Sequence, residues 1–235
     1  MFFRYALRTT DLDAARRFYE DAIGLTLPSA GRSDDSRLEA WPLHERAIAK
    51  GAPPHWLGFL AVNDVDASAN HLVQLGGQRL GPAVPTPDGA SYATFRDPCG
   101  AVVALRTHEP GPPEGRIAWH QLHVKDADAA WSIYSELFGW ATTETLDAPD
   151  LVGGHRVFAW RAGGEAVGSI ADTARWPGVH THWLFYLATD DIESAVARVR
   201  ASGGTAMNPL ALPDGKRLSA CEDAQGAAFG LIQLA

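Results

Sequence analysis

The sequence has few cysteines, no long apolar run and no basic block, and each shortage removes a class of protein. Cys99 and Cys221 form no CxxC metal pair and are too few for the disulfide framework of a small secreted domain. Both read as small buried or half-buried hydrophobes in a reducing compartment, so the expected location is cytoplasmic. No stretch approaches the roughly 20 apolar residues that cross a bilayer, so no membrane partner is expected. The N-terminus, Met-Phe-Phe-Arg-Tyr, shows no signal-peptide core or cleavage site. The net charge is −8, from scattered carboxylates. A chain without a basic stripe is a poor nucleic-acid binder, and no such partner is expected. A GxSxG elbow, a P-loop and a Rossmann glycine signature are missing too.

What is present is repetition. HWLGFLAVNDVDASANHLVQLGG from His55 returns as HWLFYLATDDIESAVARVRASGG from His182. PDG at Pro87 recurs at Pro213, and Asp97-x-x-Gly100 recurs as Asp223-x-x-Gly226. YALRTTDLDAARRFYEDAIGL from Tyr5 aligns with HQLHVKDADAAWSIYSELFGW from His120, and further on Ala40-Trp41 is matched to Ala159-Trp160. The order is module 1, module 2, module 1′, module 2′. The expected domains are residues 1–108 (modules 1–55 and 56–108) and 116–235 (modules 116–180 and 181–235). HEPGPPEG at 108–115 reads as the linker.

Each module opens with a short alternating strand, an Asp and a helix. Asp11 or Asp13 is the expected N-cap in module 1, with Asp64, Asp126 and Asp191 in the others. Ala15, Phe18, Tyr19 and Ala22 recur at helical spacing, as do Ala130, Ile133, Tyr134 and Leu137, giving one buried stripe per helix. Gly24, Gly139, Gly76-Gly77 and Gly203-Gly204 are the expected stops. Strands are expected near Gln78–Gly81, Ser91–Phe95 and Ala101–Thr107, and again near Thr205–Asn208, Arg217–Glu222 and Ala227–Leu234. The fold class is therefore α+β: four βαβββ modules in two tandem domains, curved mixed sheets with helices outside. Trp56 and Trp183 fall off the inward parity and should pack under the helices. Glu20, Asp21 and Asp34-Asp35 read as solvated charges.

The openings resemble the xVxDxxAAxxFYxxxxG start of vicinal-oxygen-chelate modules, the glyoxalase/bleomycin-resistance/extradiol dioxygenase superfamily. DPxG before an apolar strand resembles their close, and PPHWLGFLAVNDVD resembles the tandem-module branch. The resemblance implies a divalent metal in catalytic members, held by His, Gln or Glu. One ligand stands on each first strand, seven residues before the capping Asp; another stands on the last strand, four residues after the DPxG glycine. Here the first-strand positions hold Arg4, Leu57, Trp119 and Leu184, and the DPxG count gives Ala104 and Gly230. A guanidinium and apolar side chains offer a metal no lone pair. The ends of modules 1 and 1′ fall around 46–50 and 165–168, with Glu45 and Glu165 the nearby carboxylates. No cofactor is therefore expected, although the sequence leaves a divalent metal possible.

Other histidines are weak substitutes as metal ligands. His120 and His123 are three apart on a strand and face opposite ways, so they cannot share an ion. His180 and His182 share a face, but His182 repeats His55 at a strand entry and reads as architecture, bonding a nearby backbone group. His44, His71, His108 and His155 read as solvated. Parity turns Arg4, Ala6 and Arg8 inward, with Leu57, Phe59 and Ala61; Trp119, Gln121 and His123; and Leu184, Tyr186 and Ala188. Trp41, Trp160 and Tyr92 are further candidates for lining. The expected ligand-binding set is Arg4, Arg8, Phe59, Trp119, Gln121 and Tyr186, with His123 as acid/base candidate because imidazole exchanges protons near neutral pH. Arg4 and Arg8 have a second reading, pairing with carboxylates across the sheet. The expected function is metal-free binding of a small hydrophobic or aromatic molecule by a monomer or homodimer. The alternative is a lyase, isomerase or dioxygenase-like enzyme with a non-standard or absent metal centre.

Overall fold

The computed structural model describes residues 1–28, 37–86, 89–107, 115–146, 155–212 and 214–235. Asp34-Asp35, His108 and most of the expected linker lie outside the described residues. Module 1 runs β1 (Phe2–Thr9), α1 (Leu12–Ile23), β2 (Leu38–Pro42) and a one-turn helix α2 (Glu45–Ile48). Module 2 follows with β3 (His55–Val62), α3 (Val65–Gln74), β4 (Gln78–Arg79), β5 (Val84–Pro85), β6 (Ser91–Arg96) and β7 (Val102–Thr107). Module 1′ comprises β8 (Ile117–His123), α4 (Ala127–Phe138), β9 (Ala141–Leu146), β10 (His155–Ala159) and β11 (Gly168–Ala171). A 3₁₀ turn, Asp172–Arg175, leaves β11. Module 2′ closes the chain with β12 (His182–Ala188), α5 (Ile192–Ala201), β13 (Thr205–Ala206), β14 (Leu210–Ala211), β15 (Arg217–Glu222) and β16 (Ala228–Gln233).

The repeated Asp residues cap all four long helices. Asp11, rather than Asp13, accepts from the Ala14 N–H at 2.9 Å, and Asp64, Asp126 and Asp191 accept from Ala67, Ala129 and Ser194. Such a carboxylate satisfies a first-turn N–H that has no intrahelical partner. Gly24 and Gly139 end α1 and α4 at φ 63° and 65°, a left-handed conformation that costs glycine little. The whole α1 stripe is buried; in α4, Ala130 and Tyr134 are buried while Ile133 and Leu137 are half-buried.

Strand order is β2-β1-β3-β7-β6-β4 in one sheet, with β5 on β6. It is β13-β15-β16-β12-β8-β11-β10-β9 in the other, with β14 on β15. In every module the opening strand pairs parallel with the closing one, β1 with β2, β3 with β7, β8 with β11 and β12 with β16, so β2 is the counterpart of β11. This corrects the match of Ala40-Trp41 to Ala159-Trp160. The former lie on the closing strand; the latter lie at and just past the end of β10, the strand before it.

Two compact units emerge, and each joins modules from both halves. The first contains residues 1–3, 58–113 and 119–184, where α3 meets α4. The second contains 4–57, 114–118 and 185–235, where α1 meets α5 and Arg198 donates to the Ala22 carbonyl at 2.8 Å.

Each unit is fastened by the same buried relay. In the first, Trp183 Nε1 donates to Tyr134 Oη at 2.9 Å, and that hydroxyl donates to Asp97 Oδ2 at 2.7 Å. In the second, Trp56 Nε1 donates to Tyr19 Oη at 2.8 Å, with Asp223 beside the hydroxyl. The two tryptophans thus pack under the helices as their parity implies. Burial raises both tyrosine pKa values, with Asp97 and Asp223 adding to it. Tyr134→Phe strands a buried indole N–H and a carboxylate oxygen, so about 2 kcal/mol should be lost in urea denaturation. An unchanged midpoint would mean that the relay contributes nothing.

Cys99 is half-buried and Cys221 buried, both as free thiols. Among the described residues, no helix is long and apolar enough to cross a membrane.

Candidate functional site

The strand registers put the family's ligand positions in order. Ala6 stands opposite Glu39, Phe59 opposite Ala104, Gln121 opposite Ser169 and Tyr186 opposite Gly230. The closing-strand positions equivalent to Ala104 and Gly230 are therefore Glu39 and Ser169. This corrects the expectation of Glu45 and Glu165, which are exposed, one on α2 and the other in the segment before β11. Paired module by module, opening strand first, the positions hold Arg4 and Glu39, Leu57 and Ala104, Trp119 and Ser169, and Leu184 and Gly230.

Glu39 is the one carboxylate among these eight, and it is already engaged. Arg4 Nη1 donates to its Oε1, and Trp41 Nε1 donates to its Oε2 at 2.6 Å. The two side chains are 13% and 5% exposed, so the charges balance each other in a poorly hydrated place. Arg8 lies over the Trp41 ring, 5.2 Å from its centroid, a cation–π contact. In this module, then, a fixed guanidinium meets the carboxylate that would otherwise face a cation.

Also in the second unit, the ring of Tyr186 covers Gly230. A Cβ on Gly230 would stand 2.2 Å from Tyr186 Cδ1, far inside contact distance, so no glutamate side chain can start there without moving the ring. Ser169 is buried and offers a hydroxyl in its module. These residues do not fit the family's metal, and among the described residues no group of three or more His, Cys, Asp and Glu is arranged to hold an ion.

Within the first unit, β8 carries Trp119, Gln121 and His123 on one face. The registers bring Ser169 and Ala171 of β11, and Val157 and His155 of β10, to the same face. His123 Nδ1 and Thr173 Oγ1 are 2.5 Å apart, and the ring stacks on His182 with centroids 4.8 Å apart. Burial, then the neighbouring His182 and His155, push the His123 pKa down to about 3. A neutral imidazole of that kind donates and accepts hydrogen bonds at pH 7 but lacks the imidazolium proton that a general acid transfers. His155 is half-buried on β10 rather than solvated, and burial lowers its pKa. His44 likewise has a role, capping α2 through the Arg46 N–H. His71 is exposed, 3.2 Å from Glu136.

His182 Nδ1 pairs with the His180 carbonyl at 2.7 Å, and His55 Nδ1 with the Pro53 carbonyl at 2.8 Å. The repeated strand-entry histidine therefore bonds the backbone two residues back in both halves. His120 points away from His123: its Nδ1 pairs with the Val167 carbonyl and its ring stacks on Phe2.

Also in the first unit, Phe59 meets Tyr92 edge-on, with centroids 5.4 Å apart. Arg106 stands opposite Ala61 and Tyr92 and is 2% exposed, a buried charge that the sequence reading passed over. Its signal was its place two residues beyond Ala104, on the inward parity. Of the expected set, Phe59, Trp119, Gln121 and His123 belong to this unit, and Arg4, Arg8 and Tyr186 to the other.

Comparison with known proteins agrees with the fold. The family model described as Glyoxalase/Bleomycin resistance protein/Dioxygenase superfamily matches residues 2–105 and 116–231. CFP32 of Mycobacterium tuberculosis, a protein carrying the name glyoxylase, is 29% identical over 97% of this chain and 92% of its own. The anthracycline biosynthesis protein DauV of a Streptomyces species is 35% identical over 46% of this chain and 43% of its own. Among solved structures, the 2,3-dioxygenase LapB from Pseudomonas sp. KL28 superposes with TM-score 0.64 at 12% identity, covering 99% of this chain and 91% of LapB. A Mn(II)-bound glyoxalase from Novosphingobium aromaticivorans gives 0.62 at 14%, covering 99% and 81%.

Proposed function

Since the chain belongs to the glyoxalase/bleomycin resistance protein/dioxygenase superfamily, we infer that it binds a small aromatic or hydrophobic molecule without the family's metal. The observation that carries this reading is the conversion of the ligand positions into an ion pair and aromatic wall. Arg4 neutralises Glu39, and Tyr186 fills the room at Gly230. Aromatic faces with a few placed polar groups are the usual lining of a small-molecule site. On this reading each unit offers its own set: in the first, Trp119 and Phe59 supply flat apolar contact and Gln121 orients polar atoms of a ligand; in the second, Tyr186 supplies the flat face, Arg8 orients polar atoms and Arg4 holds the wall in place. His123 acts as a neutral hydrogen-bonding group. Relatives named for anthracycline biosynthesis support a planar aromatic ligand class. The protein would work in the cytoplasm as a monomer or homodimer.

A thermal-shift screen of planar aromatic metabolites and antibiotics, followed by calorimetry, tests this. A hit should lose about tenfold in affinity on Trp119→Ala and a similar amount on Gln121→Ala, the loss expected for one buried aromatic contact or one unmade hydrogen bond. Unchanged affinity in both variants would put the ligand elsewhere.

A further inference from the structure

The internal duplication exposes a second candidate site. In the second unit, the DAQG turn is tied to the helix cap by Gln225. Its Oε1 accepts from Thr9 Oγ1, Thr10 Oγ1 and the Asp11 N–H at 2.8–2.9 Å, and its Nε2 donates to the Asp11 carbonyl at 2.9 Å. Four hydrogen bonds seal that junction. In the first unit the matching turn is DPCG, and Cys99 stands where Gln225 does. Its thiol is pushed up to about 12 by burial, then by Asp97 and by Asp126, the matching helix cap. A thiol is too short and too weak a hydrogen-bonding group to repeat the amide's bridge.

The flanking residues change as well. Arg96 stands where the other module has Glu222, and Lys125 where it has Thr10. Both line an open cleft of about 840 Å³ with Arg175, Trp176 and His180. Arg175 is turned toward Asp172 at 3.1 Å, and its Nε donates to the Lys125 carbonyl at 2.6 Å. Asp172 also accepts from the Ala127 N–H, and Asp126 from that of Ala129. Arg96 spends Nη1 on the Gly100 carbonyl at 3.0 Å. Among the described residues, neither Arg96 nor Lys125 has a carboxylate partner. Trp176 is 53% exposed, yet the segment carrying it is fixed by the Ala174 N–H to the Val124 carbonyl and the Trp176 N–H to the Thr173 carbonyl. A chain of net charge −8 thus keeps two uncompensated cations and an ordered indole around one opening.

We propose that this cleft binds a planar aromatic compound carrying a phosphate group, of the nucleoside monophosphate kind. A phosphate carries close to two negative charges at pH 7 and matches Arg96 and Lys125, and the guanidinium's remaining donors suit its oxygens. The Trp176 face takes the ring.

Calorimetric titration of the full chain with adenosine monophosphate, adenosine and inorganic phosphate tests this, alongside Lys125→Thr, Arg96→Glu and Trp176→Ala. Thermal melts establish that each variant is folded. The monophosphate should bind more tightly than adenosine and weaken with added salt. Lys125→Thr and Arg96→Glu should each weaken it by about tenfold, as expected for loss of a charge-assisted contact. Trp176→Ala should weaken the monophosphate while leaving inorganic phosphate unchanged. Equal affinity for adenosine, no binding of either phosphate compound, or full affinity in folded Lys125→Thr and Arg96→Glu would overturn the proposal.

Discussion

Arg4→Ala is expected to lose about 3 kcal/mol or more of stability in urea denaturation at pH 7, the usual cost of stranding one partner of a buried ion pair. Glu39 has a side chain 5% exposed, and the substitution removes the guanidinium whose Nη1 donates to its Oε1. Replacing Arg4 and Glu39 together by leucine should recover most of the loss, because neither charge is then buried alone. A variant as stable as the parent would show that the pair is not a structural unit.

Acidification from pH 7 to 5 should cost about 2 kcal/mol for each of His120 and His123, as linkage requires for imidazoles held far below the unfolded value near 6.5. Burial sets His120 at about 4 and His123 at about 3. Both are depressed, so the unfolded chain binds more protons below pH 6.5, and stability drains away as pH falls through that value. Asp97 and Asp223 act oppositely: burial raises their pKa values, which penalises the folded state at neutral pH and returns stability as they protonate. From these two rings the decline should begin near pH 6.5 and continue to about pH 4, where His120 starts to take up a proton in the folded state. His123→Gln should remove its own share, about 2 kcal/mol of the loss between pH 7 and 5. A urea midpoint that stays flat from pH 7 to 5 would contradict neutral burial of these rings.

Local signals were legible wherever one residue decides its own geometry. The four aspartate caps, the glycine stops and the buried stripe of α1 follow from spacing alone and are found, and α4 buries two of its four stripe positions fully. Trp56 and Trp183 sit under the helices for the same reason. Glu39 was missed because module 1 closes without a DPxG turn from which to count, and its partner strand is found through pairing register, which spacing does not encode. The Trp–Tyr–Asp relays were missed because each draws on three modules. The turn aspartates looked sufficient as turn formers, yet each is 4% exposed and faces a tyrosine hydroxyl. His123 was legible as an acid/base candidate, but its neutral state depends on burial first and then on His182 and His155, which arrive from other strands.

Metal content is the most direct test of the central claim, that an ion pair and an aromatic wall have replaced the family's metal centre. The untagged protein, grown in metal-supplemented medium and dialysed, should carry only substoichiometric zinc, iron, manganese and nickel by plasma mass spectrometry. A stoichiometric divalent metal that disappears in Glu39→Gln or His182→Ala would contradict it.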